Sequence, residues 1–200
     1  MENSKNVPQG GAVGKLRELS LFSGFGGFSL ALRQAGIPTQ TVGYVEIDPY
    51  AQQILLARMH DGYLDPAPII TDIKRCDFRP MAGLVDLVTS GFPCQPHSYA
   101  GTRRIAKGLA DDRNLWPDTL RAIGEVGPRY ILLENVPGIL SGTAERQAYG
   151  GTVIGELSEA GYDCQWNIVS AADAGANHLR KRWWCWATRQ VDDPQHDGFP

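Results

Sequence analysis

This sequence lacks four features that would each point to a different class of protein. No stretch approaches the ~18 consecutive apolar residues that a membrane-spanning helix needs. The first 15 residues are polar and glycine-rich, and they contain no apolar centre of the kind found in a secretory signal peptide. We therefore expect a cytoplasmic protein with no membrane partner.

Paired cysteines and a strong excess of one charge are also missing. The four cysteines are far apart and form no Cys-x-x-Cys pair, so neither a zinc site nor a dithiol redox motif is predicted, and no metal is expected. The net charge of −3 gives by itself no sign of nucleic acid, because sequence-independent DNA binding depends on Lys and Arg. Basic residues are clustered around 103–107 and 180–189, but such clusters are more often solvated surface than binding sites.

Short apolar runs alternate with helix-like segments along the chain. Strands are predicted at 19–22, 41–45, 69–71, 84–89 and 130–133, helices at 28–35, 49–60, 115–126 and 153–160, and a closing antiparallel pair at 163–170 and 182–188. This alternation indicates an α/β fold with a Rossmann-like, doubly wound, mostly parallel seven-stranded sheet. Ligands bind such sheets at the carboxyl ends of the strands.

The segment Phe22-Ser23-Gly24-Phe25-Gly26-Gly27 follows the first strand and opens a helix, as a phosphate- or nucleoside-binding loop does. Glu46 follows the second strand, where a carboxylate can accept both hydroxyls of an adenosine ribose. Asp72 follows the third strand and is placed to meet an adenine amino group. A tight structural turn and two solvated acids would explain the same pattern, and a nicotinamide dehydrogenase would share it.

A candidate catalytic residue, Cys94, lies in the segment after the fourth strand, Ser90-Gly91-Phe92-Pro93-Cys94-Gln95-Pro96-His97-Ser98. A lone cysteine is usually a buried small hydrophobe. Two flanking prolines at a ligand-binding edge instead favour an exposed, activated thiolate at Cys94. Glu134, after the fifth strand, is expected near it. A Cys94–His97 hydrolase is a further alternative, although the two residues are only three apart and no third orienting residue is evident.

Pro-Cys-Gln after the fourth strand, Glu-Asn-Val after the fifth and Phe-x-Gly-x-Gly-Gly after the first form a rare combination. The sequence resembles the DNA (cytosine-5)-methyltransferase family of bacterial and phage modification enzymes, from about Leu19 to Thr188. The resemblance implies a class I methyltransferase fold, S-adenosylmethionine as methyl donor without a metal, and double-stranded DNA as substrate. In the segment that resembles the family's Gln-x-Arg-x-Arg, His178 replaces the usual Gln.

The resemblance also implies roles for individual residues. Cys94 would add to cytosine C6, Glu134 would hold the N3 and amino edge of the base, Arg182 would hold its O2 edge, and Arg180 would support the phosphates or the loop. The residues implied at the cofactor are Phe22, Gly24, Gly26, Gly27, Glu46, Ile47, Asp72, Ile73, Pro93 and Leu115. Those implied at DNA are Gln95, Ser98, Arg103 and Arg104, which would grip a strand whose target cytosine is flipped out of the stack.

Residues 1–17 are expected to form a flexible leader, 18–190 the catalytic domain, and 191–200 the start of a missing target-recognition region or a tail. Three interpretations follow: a fragment or split enzyme whose C-terminal partner supplies recognition, a small methyltransferase of low specificity, or a non-catalytic protein that binds cofactor or DNA. The sequence alone leaves them open.

Overall fold

Seven strands form a single sheet in the computed structural model, which describes residues 14–93, 114–141 and 148–190. The strands are β1 (Leu16–Leu21), β2 (Thr39–Val45), β3 (Ile69–Ile70), β4 (Leu87–Ser90), β5 (Tyr130–Asn135), β6 (Tyr162–Val169) and β7 (Arg182–Arg189). The helices are α1 (Gly27–Gln34), α2 (Pro49–His60), α3 (Trp116–Val126) and α4 (Tyr149–Glu159). The strand order is β3-β2-β1-β4-β5-β7-β6, and β7 runs in the direction opposite to that of the other six strands. The predicted doubly wound, mostly parallel sheet is confirmed.

Helices cover both faces of this sheet. On one face, α3 and α4 enclose the largest core cluster, in which Trp116, Val153 and Leu157 pack against buried side chains of β1, β4, β5 and β7. On the other face, α1 and α2 cover smaller clusters centred on Leu32 and Leu55. No helix within the described residues is long and apolar enough to cross a membrane.

The chain reverses its direction of winding between β1 and β4. β1 is followed outward by β2 and β3, whereas β4 lies on the other side of β1 and is followed by β5. Ligands bind open parallel sheets at such a switch point, in the crevice beyond the carboxyl ends of the strands. The loops that leave β1 and β4 therefore border the position where a ligand is expected.

Several element boundaries differ from the sequence prediction. The fourth strand was predicted at 84–89, but β4 begins at Leu87. Gly83 adopts a φ of 71° and Leu84 closes a turn on Met81, which leaves Leu84 55% exposed. The first strand begins at Leu16, two residues inside the expected leader, and Arg17 forms a 2.9 Å ion pair with Asp86.

A carboxyl group is buried in the middle of the sheet. Glu18 on β1 is fully enclosed, and it accepts hydrogen bonds of 2.7 Å from the hydroxyls of both Thr41 on β2 and Thr89 on β4. Burial disfavours the charged form and raises the pKa of Glu18, and the two hydroxyl bonds offset only part of that effect. The carboxyl thus joins three neighbouring strands, β1, β2 and β4.

Candidate active site

The loop after β1 adopts a backbone that glycine favours. Gly24 and Gly26 have φ values of 54° and 82°, and Phe22 has 53°, a conformation that costs a non-glycine residue roughly 1–2 kcal/mol. At Gly26 space is limiting as well, because a Cβ there would lie 2.5 Å from Leu64 Cδ1. Gly27 begins α1, so the loop leads directly into a helix N-terminus.

Ser23 fastens this loop to the end of β2. Its hydroxyl donates to the Ser20 carbonyl at 2.8 Å and accepts from the Val45 amide at 3.2 Å, while its own amide donates to the Val45 carbonyl at 3.0 Å. Sequence reasoning did not single out Ser23, and its place between Phe22 and Gly24 was the only available signal. The backbone strain at Phe22 is therefore held by a buried hydrogen-bonded residue.

Glu46, directly after β2, reaches across to the glycine loop. Its Oε2 accepts from the Gly24 amide at 2.7 Å, and its Oε1 accepts from the Asp48 amide at 2.8 Å. Asp48 in turn caps α2. Because each carboxylate oxygen can accept more than one hydrogen bond, Glu46 retains acceptor capacity for a ligand's hydroxyls while its orientation is fixed.

Apolar side chains at the same edge are unusually exposed. Phe25 and Ile47 are each 68% exposed and Tyr50 is 75% exposed, although all three follow the carboxyl ends of β1 and β2. Flat or branched apolar groups beside an anchored carboxylate suit a ligand with an apolar ring next to a sugar. The chemistry of this donor set therefore fits an adenosine group.

Asp72 and Ile73 follow β3 at the next position along the edge. The Asp72 carboxylate accepts from the Lys74 amide at 2.9 Å and so caps a short 3₁₀ turn that begins at Ile73. Ile73 is buried, and its carbonyl accepts from Arg121 of α3 at 2.6 Å. This turn is thereby tied to the helix layer beneath it.

The residues described so far, at the ends of β1, β2 and β3, form the first half of the site. The second half is an ion pair between β5 and β7. Glu134 lies in β5 opposite Trp184, not after the strand as the sequence suggested, because pairing with β7 extends β5 to Asn135. Arg182, two residues before Trp184 and on the same face, places its Nε 2.7 Å from Glu134 Oε1. Both side chains are about one-quarter exposed.

Gly91 is the point where the two halves of the site meet. A Cβ on Gly91 would lie 3.7 Å from Glu134 Oε2 and 3.6 Å from the ring of Phe28, the second residue of α1. Phe28 in turn makes an edge-to-face contact with Trp184, with ring centroids 5.8 Å apart. The start of α1, the end of β4 and the carboxyl of Glu134 therefore border one position, three residues before Cys94.

Asn135 fixes the backbone just before that cysteine. Because side chains alternate along a strand, Asn135 points to the opposite face from Glu134. It is 4% exposed; its amide nitrogen donates to the Phe92 carbonyl at 3.0 Å, and its oxygen accepts from the Val136 amide at 2.9 Å. Sequence reasoning used Asn135 only as part of the Glu-Asn-Val motif and gave it no role of its own.

Of the remaining expected residues, three lie among the described residues and five do not. Leu115 precedes α3, and its neighbour Trp116 packs on Phe92 with ring centroids 5.1 Å apart, so Leu115 and the half-buried Pro93 lie at the same edge as Glu134. Arg180 is exposed on the chain leading into β7. The other five expected residues lie outside the described residues: Cys94, Gln95, Ser98, Arg103 and Arg104.

Comparison with known proteins shows which family this chain belongs to. The model of the C-5 cytosine-specific DNA methylase family matches residues 16–198, which is most of the chain. The chain belongs to this family. The predicted resemblance is thus confirmed.

Relatives of the methylase chain come from viruses and bacteria. It is 32% identical over 179 residues to the type II methyltransferase M.CviJI of Paramecium bursaria Chlorella virus IL3A, covering 90% of this chain and 45% of that protein. It is 34% identical over 164 residues to the type II methyltransferase M.NgoMIV of Neisseria gonorrhoeae, covering 82% and 49%. The chain therefore spans less than half the length of these relatives.

Solved structures agree with the family fold. The structure of the S. pombe Dnmt2 methyltransferase superimposes with a TM-score of 0.68 at 28% identity, covering 90% of this methylase chain and 52% of that one. A DNA modification methyltransferase from an E. coli prophage, described as putative, gives a TM-score of 0.67 at 26% identity, covering 88% and 47%. The seven-stranded sheet is therefore that of the methyltransferase fold.

Proposed function

We propose that this chain carries the cofactor-binding and catalytic part of a DNA cytosine-C5 methyltransferase that uses S-adenosylmethionine. The observation that carries the proposal is the meeting, around Gly91, of the start of α1 (which follows the glycine loop), the carboxyl of the Glu134–Arg182 pair and the backbone leading to Cys94. A methyl donor, a nucleophile and a base-binding carboxyl must share one crevice for this reaction, and membership of the family supplies the substrate class.

The cofactor is assigned to the edge formed by β1, β2 and β3. Glu46 would accept the ribose hydroxyls, since its carboxylate is already oriented by the amides of Gly24 and Asp48. The exposed Phe25 and Ile47 would contact the adenine, and Asp72 its amino group. When bound, S-adenosylmethionine supplies an electrophilic methyl group.

Covalent catalysis accounts for the chemistry at the base. Cytosine C5 is a weak nucleophile, and addition of the Cys94 thiolate to C6 converts the ring to an enamine that is nucleophilic at C5. After methylation, loss of the C5 proton and β-elimination of the thiolate release the product. The target base must leave the duplex stack to reach this pocket, at a cost of roughly a few kcal/mol.

Glu134 and Arg182 would act on the other edge of the same base. Glu134 would contact N3 and the amino group and deliver a proton as C6 is attacked. Arg182 places its Nε 2.7 Å from the Glu134 carboxylate and donates from Nη1 to the Lys181 carbonyl at 2.8 Å, so its Nη2 would reach the O2 edge. Arg180, together with Gln95, Ser98, Arg103 and Arg104, would contact the DNA around the flipped nucleotide.

Transfer of tritium from labelled cofactor to DNA tests the nucleophile. Cys94→Ser should abolish transfer, whereas Cys164→Ser, a change at a half-buried thiol on the distant edge strand β6, should leave it unchanged. Glu134→Gln should lower transfer by about 100-fold or more, as expected for loss of a general acid. Undiminished transfer by Cys94→Ser would exclude the proposed chemistry.

A further inference from the structure

Helix α4 contacts the chain segment that leads into the cofactor site. Tyr149, its first residue, is 6% exposed, and its hydroxyl donates to Asn114 Oδ1. The same oxygen accepts from the backbone amide of Trp116 at 3.2 Å, and Asn114 is itself only 7% exposed. A buried side chain on α4 therefore orients the two residues on either side of Leu115.

A second hydrogen bond to α4 fixes the side chain of Trp116. Its indole nitrogen donates to the carboxylate of Glu156, two turns along the helix from Tyr149. The indole is 1% exposed and lies against the Phe92 ring. Leu115 is thus placed between two anchored neighbours, and it has little freedom to move relative to the end of β4.

The start of α4 is fixed in turn against the chain that follows β5. A Cβ on Gly150 would lie 2.9 Å from Leu140 Cδ2 and 3.3 Å from the Ile139 carbonyl oxygen. These residues belong to the 3₁₀ turn Pro137–Leu140, which comes directly after Glu134-Asn135-Val136. The helix therefore bridges the strand that carries the catalytic carboxyl and the segment that carries Leu115.

We infer that Tyr149 is a positioning residue for the methyl donor: acting through Asn114, it sets the place of Leu115 at the cofactor end of the sheet. The inference rests on the proposed function, which assigns Leu115 to the cofactor. Tyr149 itself does not reach the crevice, because it is buried on the face that α4 covers. Its effect is preorganisation, since a contact residue held by packing and hydrogen bonds needs no ordering when the ligand binds.

Two tyrosines of this chain allow a matched test. Tyr162 on β6 is 3% exposed, and its hydroxyl donates to the Pro128 carbonyl at 2.9 Å, far from Leu115. Tyr149→Phe and Tyr162→Phe each remove a buried hydroxyl that donates a hydrogen bond, so both should lower the melting temperature by a similar amount, about 2–4 °C. Binding of S-adenosylhomocysteine to the full chain is then measured by calorimetry at a temperature where all variants are folded.

The expected result is that Tyr149→Phe weakens binding by about fivefold, because Leu115 would then have to be ordered when the ligand binds. Tyr162→Phe should stay within about twofold of the unchanged chain. Equal affinities for Tyr149→Phe and Tyr162→Phe would overturn the inference and leave Tyr149 a structural residue. If the unchanged chain binds no S-adenosylhomocysteine, the proposed cofactor site fails, and the inference fails with it.

A double-mutant comparison identifies the route of the effect. Because Tyr149 acts through Asn114, Asn114→Ala combined with Tyr149→Phe should weaken binding no more than Asn114→Ala alone. Additive losses from the two changes would show that Tyr149 influences the ligand by another path and would contradict the inference.

Discussion

Removal of the Asn135 side chain should destabilise the protein more than its size suggests. Asn135→Ala deletes two hydrogen bonds, one to the Phe92 carbonyl at 3.0 Å and one from the Val136 amide at 2.9 Å, at a site that is 4% exposed. Each bond contributes about 1 kcal/mol, and a buried carbonyl left without a partner adds a further penalty, so we expect a loss of about 2–4 kcal/mol in the free energy of unfolding.

Asn167 on β6 provides the control. Its side-chain oxygen accepts from the amide of the next residue, Ile168, at 2.8 Å, which is the bond that Asn135 makes to Val136. Asn167 is exposed, so Asn167→Ala should change stability by no more than about 0.5 kcal/mol. Urea unfolding of both variants, with unchanged denaturant slopes, measures the difference. Equal losses for the two variants would refute the importance assigned to the Phe92 contact.

The variant Asn135→Asp should make the stability of the protein depend on pH. Asn135→Asp keeps an oxygen for the Val136 amide but turns a second oxygen toward the Phe92 carbonyl, so the folded protein favours the protonated acid and raises its pKa. Stability is then fully present below the unfolded pKa of about 4 and is lost as the pH rises through the folded value. A stability of this variant that does not vary with pH would contradict the contact.

Three further predictions concern the glycine loop after β1, the buried carboxyl of Glu18 and the carboxylate of Glu46, which is proposed to bind the cofactor. Gly26→Ala should destabilise by about 1–3 kcal/mol, because φ is 82° and the new methyl group meets Leu64; Gly24→Ala, with open space around it, should cost less. Since the pKa of Glu18 is raised above its usual 4.5, stability should fall as the pH rises above about 4.5, and Glu18→Gln should remove that slope. Glu46→Gln should weaken S-adenosylhomocysteine binding by about tenfold in calorimetry, since a carboxylate binds hydroxyls more strongly than an amide does.

Each of these predictions has an outcome that would contradict it. Equal melting temperatures for Gly26→Ala and Gly24→Ala would mean that Leu64 yields without cost. An unchanged pH profile in Glu18→Gln would mean that the buried carboxyl does not titrate in that range. Unaltered affinity for S-adenosylhomocysteine in Glu46→Gln would contradict the assignment of the ribose to the end of β2.

The sequence predicted most of the fold because short apolar runs alternate with helix-like segments along the chain. The antiparallel pair was predicted at 163–170 and 182–188 and is found at Tyr162–Val169 and Arg182–Arg189. The errors lie where tertiary contacts override local pattern. α4 begins four residues before its predicted start, where Tyr149 and Gly150 are held by Asn114 and by the turn after β5.

The candidate site was predictable where a motif follows a strand and unpredictable where distant segments bond to each other. Glu46 was identified by its place after β2, but its bond to the Gly24 amide depends on the parallel pairing of β1 with β2, which brings the ends of the two strands together. The bond from Asn135 to Phe92 joins residues 43 apart in sequence, and nothing in either local pattern indicates it. Side-chain hydrogen bonds of this kind depend on register and burial, which only the folded chain defines.

The central claim, a cysteine attack on a cytosine held at this sheet edge, is tested most directly with DNA that carries 5-fluorocytosine. This base accepts the methyl group but cannot lose a proton from C5, so the thiolate stays bound to C6. With a preparation that methylates unmodified DNA, a denaturant-stable complex should form, and peptide mass analysis should find the base attached at Cys94. No stable complex, or attachment at any other residue, would contradict the account.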